Sequence, residues 1–298
     1  MITEWLRGVF PPIPTPFDEA GELALDRLVE NLGHWASCPL NGLVVLGSNG
    51  EAVHLDRDER KRMIEVVSSH APQSRPIIAG TGAHSTRETI GLSRDAADAG
   101  ARAVLVLSPS YYRNQMTPDA LADHFTAVAD GAPVPVIVYN MPACTGIDLD
   151  AGTIARIAGH ENVIGLKDSS GNVTKLATLR AMIGPEFGIL AGSGGFFLPA
   201  LSVGADGGVM SLANVASKAC ARIFEAFQSG DLETARALQL RLVPLNTAIT
   251  TRWGVPGLKA AMDLVGLYGG PVRSPLRPVD ESAITELGRL LRSASVLS

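Results

Sequence analysis

Short apolar, β-branched runs recur along the chain, and each is followed by a longer stretch with helical spacing of its apolar residues. The runs predict strands at Val9–Thr15, Leu43–Gly47, Pro76–Gly80, Ala103–Leu107, Pro135–Tyr139, Val163–Lys167, Gly188–Ala191 and Gly208–Leu212. Their apolar continuity suits parallel strands covered on both faces. The intervening helices carry recognisable starts. Asp56 with Glu59, and Ser85 with Glu88, have capping-box spacing, and Thr117-Pro118 puts proline at a first helical position. The alanine-rich stretch Thr86–Ala99 stops at Gly100, a residue suited to a helix end.

Eight such repeats with no polar linker predict a single α/β domain closed as a (β/α)8 TIM barrel over 1–230. Four more helices are expected after the last strand, at Ser217–Gln228, Leu232–Thr251, Pro256–Val265 and Ser282–Ser293. The first closes the barrel and the other three form a C-terminal helical extension over 231–298. An open Rossmann-type sheet is the rival architecture, but no GxGxxG follows the first strand to cradle a pyrophosphate.

Composition narrows the function. Apolar residues make up 46% of the 298 and charged residues 18%, with a net charge of −5. No basic cluster is long enough to follow a phosphate backbone, so nucleic acid is not an expected partner. The Arg57–Arg62 run alternates in sign and reads as a solvated helix face. Cys38, Cys144 and Cys220 are odd in number and far apart, which argues against a disulfide framework or a zinc site. With no apolar leader in Met1–Gly8 and no membrane-length apolar run, a cytoplasmic location is expected.

One lysine stands apart. Of the five, Lys61, Lys175, Lys218 and Lys259 sit in helical, polar contexts where solvation is expected. Lys167 ends an apolar strand and precedes the polar segment Asp168–Gly171. In a barrel this puts an ammonium at the C-terminal mouth, where barrel enzymes gather their chemistry. Partial desolvation there favours the neutral amine, which can add to a ketone and form an imine. Position alone leaves a second possibility open, a lysine paired with a carboxylate such as Asp168. Tyr139, at the end of the neighbouring strand, should reach the same mouth and could move protons. The glycine-rich Gly47–Glu51 segment, ending the second strand, leaves backbone N–H groups free to converge on a carboxylate.

Together these segments resemble the dihydrodipicolinate synthase / N-acetylneuraminate lyase family of Schiff-base aldolases. The resemblance covers almost the whole length and is carried by Gly47–Glu51, Tyr139–Pro142, Gly165–Lys167, Ser108–Tyr112 and Gly207–Asn214. It implies Lys167 as the imine-forming lysine, Tyr139 as proton relay, and Ser48 as the hydroxyl linking Tyr139 to Tyr111 of a neighbouring subunit. It further implies Ser48 and Asn49 as holders of the pyruvate carboxylate, with Gly192 and Met210 lining the pyruvoyl pocket. No cofactor or metal is implied, and a homotetramer built as a dimer of dimers is.

Within the family, dihydrodipicolinate synthases carry an arginine where this chain has Cys144, and a thiol cannot replace a bidentate guanidinium. Losing that contact should cost about 1.5–3 kcal/mol of carboxylate recognition. The segments Lys167–Thr174, Leu190–Phe196, Thr251–Lys259 and Tyr268–Arg273 resemble the 4-hydroxy-2-oxoglutarate aldolase branch instead, where Ser169 aligns with a substrate-binding serine. That branch commonly has serine and asparagine where this chain has Asn140 and Cys144. The alternatives are dihydrodipicolinate synthesis, N-acetylneuraminate or 2-keto-3-deoxy sugar acid cleavage, an aromatic hydratase-aldolase activity, and a pyruvate-sensing barrel without activity. A metal-dependent aldolase would need clustered ligands, and the six histidines show no HxH or HExxH spacing; His54 is expected to be structural or to support the site from behind. A phosphate-binding barrel lacks basic residues around the Gly192–Gly195 loop.

Overall fold

The computed structural model describes residues 4–297. Eight parallel strands alternate with helices: β1 Gly8–Phe10, α1 Leu25–Ala36, β2 Leu43–Val45, α2 Arg57–His70, β3 Ile77–Gly80, α3 Thr86–Asp98, β4 Ala103–Leu107 and α4 Pro118–Gly131. The second half continues with β5 Val136–Asn140, a single turn α5 Pro142–Thr145, α6 Ala151–Ile157, β6 Val163–Asp168, α7 Val173–Ile183, β7 Gly188–Ala191, α8 Phe197–Ser202 and β8 Gly207–Val209. The sheet order is β1-β8-β7-β6-β5-β4-β3-β2. Between β2 and β1 the ring is completed by a parallel bridge, Pro12 to Val44, in which Val44 N donates to Pro11 O and Ile13 N to Val44 O. This is the TIM barrel expected from the repeats.

Three strands end earlier than their apolar runs. β1 stops at Phe10 because prolines 11, 12 and 14 supply no N–H for a ladder. β2 stops at Val45, where Leu46 takes a positive φ of 59°. β8 stops at Val209, and Ser211–Asn214 turn into a 3-10 helix. Inside the barrel, side chains of Phe10, Val44, Ile78, Leu105, Ile137 and Leu190 form one buried cluster. A larger cluster fills the layer between strands and helices. Strand parity therefore decides which side chains meet the barrel axis.

Helix caps follow the sequence signals. Asp56 and Glu59 exchange hydrogen bonds with each other's backbone N–H, and Ser85 and Thr117 cap α3 and α4. After β8 come α9 Ser217–Gln228, α10 Leu232–Thr247, α11 Gly254–Leu264 and α12 Glu281–Ser293. Where one long helix was expected to Thr251, α10 contains Pro244 and gives way to a π turn, Ala248–Arg252. Such turns accommodate an extra residue and frequently mark functional sites. No helix of the described residues is long and apolar enough to cross a membrane.

Candidate active site

Strand register brings the two central residues together. Tyr139 pairs with Lys167 across β5 and β6, and the next pair is Asn140 with Asp168. Because strand side chains alternate, Tyr139 and Lys167 face the barrel interior while Asn140 and Asp168 face the helices. Lys167 Nζ lies 4.0 Å from the centroid of the Tyr139 ring. Lys167 is buried, and no carboxylate among the described residues pairs with its amine.

The carboxylate that sequence position offered as its partner is taken elsewhere. Asp168 accepts from Asn140 Nδ2 at 2.8 Å and pairs with Lys175 Nζ at 2.8 Å, behind the strand. Lys175 also meets Asp148 at 2.5 Å. Asp168 additionally takes the Ser170 backbone N–H, which turns the chain sharply after β6. Two of the four lysines expected in solvent are in fact buried, Lys175 and Lys259. Each sits on a helix, and the helical spacing alone does not reveal that a carboxylate from another element meets it.

Around Lys167 opens a cavity of about 490 Å³, lined by Ser48, Asn49, Tyr139, Cys144, Ser169, Gly192, Ser193 and Ser211, with Thr250 and Thr251 from the π turn. Ser48 Oγ is 3.3 Å from Tyr139 OH. Asn49 reaches across the barrel mouth to Ser211 Oγ at 2.6 Å. The backbone N–H groups of Ser48 and Asn49 begin a 3-10 turn and donate to no acceptor among the described residues. Ser169 follows Asp168 into the cavity wall, held by Ser169 N donating to Asn140 O at 2.9 Å. Its Oγ is buried with no hydrogen-bond partner. Gly192 makes this placement possible, since a Cβ there would stand 2.0 Å from Ser169 Oγ. At the rim, burial pushes the Cys144 thiol upward and nearby Lys167 partly offsets it, so Cys144 offers the cavity a neutral group.

Two expected site residues do not wall this cavity. Met210 follows inward-facing Val209, so its side chain turns out into the helix layer, and Ser211 lines the wall instead. Tyr111 is 75% exposed and packs edge-on against Tyr112 and His84, away from Ser48. Four hydroxyl-bearing wall residues were not among the site residues expected from the sequence: Ser193, Ser211, Thr250 and Thr251. Ser193 is gripped by Asn246 of α10, whose Nδ2 donates to its Oγ at 3.1 Å. His54 stands behind the wall, its Nδ1 3.4 Å from Glu51 Oε2. No group of metal-ligating side chains was found among the described residues.

Residues 5–294 match the model of the dihydrodipicolinate synthetase family. A probable mitochondrial 4-hydroxy-2-oxoglutarate aldolase of Emericella nidulans is 40% identical, covering 93% of this chain and 91% of that protein. A 4-hydroxy-tetrahydrodipicolinate synthase of Acidiphilium cryptum is 37% identical over 98% of this chain and 99% of that one. Among solved structures, YagE, a prophage protein of the dihydrodipicolinic acid synthase family from E. coli K12 in complex with pyruvate, superposes with a TM-score of 0.92. It shares 29% identity and the match covers 98% of this chain and 99% of that one.

Proposed function

Because this chain belongs to the dihydrodipicolinate synthetase family, we propose that it cleaves 4-hydroxy-2-oxoglutarate to pyruvate and glyoxylate through an imine on Lys167. The broader activity is that of the family: a carbon–carbon lyase or aldolase acting on pyruvate-type substrates through a Schiff-base lysine, without metal or external cofactor. One observation carries the assignment of the lysine. Among the described residues Lys167 is the only lysine or arginine lining the cavity, and it faces Tyr139 with no carboxylate paired to it.

In this scheme Lys167 Nζ adds to C2 of the 2-oxo acid and water leaves, giving a protonated imine. The substrate carboxylate sits on the free N–H groups of Ser48 and Asn49. Tyr139, with Ser48 beside its oxygen, relays the proton of the C4 hydroxyl as the bond breaks. The C3–C4 bond then breaks, its electron pair flows into the iminium nitrogen, and glyoxylate departs. Tyr139 returns the proton to C3 of the enamine, and water hydrolyses the imine to release pyruvate and free amine.

The choice of substrate within the family rests on the far end of the cavity. Ser169, Ser193, Thr250, Thr251 and Cys144 line the cavity, and among the described residues no arginine does. Hydroxyls suit the hydroxyl and distal oxygens of a 4-hydroxy acid better than they replace a guanidinium. Tyr111, exposed at the barrel's rim, we assign to the site of a neighbouring copy in a homotetramer. The test is a panel of 2-oxo acids scored by pyruvate release, with borohydride trapping of pyruvate. Fastest release from 4-hydroxy-2-oxoglutarate and a reduced adduct on Lys167 are expected. An adduct on another lysine, or preferred condensation of pyruvate with aspartate semialdehyde, overturns the assignment.

A further inference from the structure

The turn that presents Ser48 and Asn49 is bracketed by two strained residues. Leu46 has φ 59°, and Glu51 has φ 50° and ψ 33°, both left-handed although neither is glycine. Each such residue costs roughly 1–2 kcal/mol and persists only where its surroundings impose it. At Glu51 the surroundings come from far along the chain. Its carboxylate, nearly sealed from solvent, meets Lys259 Nζ of α11 at 2.7 Å and accepts the Arg273 backbone N–H at 2.9 Å.

Lys259 is itself 1% exposed. Its ammonium also donates to Pro271 O at 2.7 Å and lies 4.6 Å from the centre of the Phe17 ring. Arg273 covers the same ring at 4.3 Å and forms two 2.7 Å bonds to Glu59 at the start of α2. Gly269 allows this closeness, because a Cβ there would sit 2.0 Å from Lys259 O. Neither Lys259 nor Glu51 lines the cavity. Their reach is through the backbone of the turn.

We propose that Lys259 and Glu51 form a latch by which the C-terminal helices hold the Ser48–Glu51 turn in its carboxylate-binding shape, making both positioning residues for the pyruvoyl carboxylate. The inference rests on the aldolase reading above for its ligand, and on geometry alone for its mechanics. Breaking the latch relaxes the turn, turns the Ser48 and Asn49 N–H groups away from convergence, and weakens pyruvate binding while leaving Lys167 in place.

The test separates positioning from stability. A lone Lys259→Met strands a buried carboxylate, whereas the double change Glu51→Met with Lys259→Met removes both charges, a replacement often neutral for stability. The double variant should melt near the unaltered chain yet need about tenfold more pyruvate to half-saturate borohydride trapping, with the trapped fraction at saturation unchanged. Glu51→Asp, which keeps both charges on a shorter arm and guards against a double variant that does not fold, should raise that concentration about threefold. Amide exchange over residues 47–51 should quicken in both. Half-saturation and exchange equal to those of the unaltered chain would sink the latch. If the unaltered chain traps no pyruvate, the aldolase reading falls, and the exchange rates still decide the latch.

Discussion

Lys167 and Lys259 are almost equally hidden from solvent, yet they occupy opposite chemical situations. Lys259 has a carboxylate, a carbonyl and an aromatic face around its ammonium. Lys167 has the face of one tyrosine and an open cavity, and no acid among the described residues pairs with it. Burial lowers the Lys259 ammonium from its ordinary range while Glu51 pulls it back up, a balance suited to holding a charge in place. The same residue type therefore serves as a tie in one region and as an available amine in the other. Burial alone does not separate the two roles; the list of partners does.

The sharpest way to break this contrast is to remove the one amine in the cavity that could form an imine. Lys167→Arg keeps a cation of similar reach but cannot lose its proton, so imine formation stops. Pyruvate release should fall by roughly 10⁴-fold, with no mass added by pyruvate and borohydride. Activity near that of the unaltered chain would end the assignment. Tyr139→Phe comes next. It preserves the ring that faces Lys167 and removes only the hydroxyl, so turnover should drop by about 10²–10³-fold. Trapping of pyruvate should persist, because the amine is untouched. Loss of trapping together with turnover would show that Tyr139 acts earlier, in forming the imine.

Much of this was legible in the chain. The eight apolar runs gave away the barrel, and the ends of β5 and β6 put Tyr139 beside Lys167 before any coordinates existed. What stayed hidden has three physical causes. Side-chain parity at the end of β8 sends Met210 outward, and counting alternation back from Val209 would have shown it. Thr250 and Thr251 lie in a π turn, whose extra residue shifts them off the regular helical face. Lys259 and Lys175 look solvated because their partners, Glu51 and Asp168, lie on other elements and share no local pattern with them. Tyr111 belongs to a different category, since its expected neighbour is not within the same chain.

A third buried group sharpens the comparison by evading the problem. His124 of α4 is buried, with Thr86 Oγ 2.9 Å from Nδ1 and no hydrogen-bond partner for Nε2 among the described residues. Desolvation pushes its pKa down to about 4, so it stays neutral where Lys167 meets a cavity and Lys259 an acid. The folded value lies below the unfolded one, near 6.5. Stability is therefore complete above about pH 6.5 and is lost as pH falls through the interval down to 4, by up to about 3 kcal/mol. His124→Asn, which keeps a group for Thr86, should flatten the fall in melting temperature across that interval. An unchanged slope would place the acid sensitivity elsewhere.

The smallest expected effect bears on what the free amine is for. Cys144 sits on the single turn α5 at the cavity rim, as a thiol with no charge to offer. Cys144→Arg would bring a guanidinium to the rim of a cavity to which Ser169, Ser193, Thr250 and Thr251 bring hydroxyls. If those hydroxyls select a 4-hydroxy acid, the new cation should help a substrate whose carboxylate reaches the rim. Condensation of pyruvate with aspartate semialdehyde should then improve about tenfold in kcat/KM, a gain of ~1.4 kcal/mol at the low end for a charge-assisted contact. Cleavage of 4-hydroxy-2-oxoglutarate should change less, because Ser169 and the Ser48–Asn49 turn are left as they are. Equal gains on both substrates would mean that the cation acts on the field around Lys167 and not on the far carboxylate. The rim would then be coupled to the amine rather than independent of it.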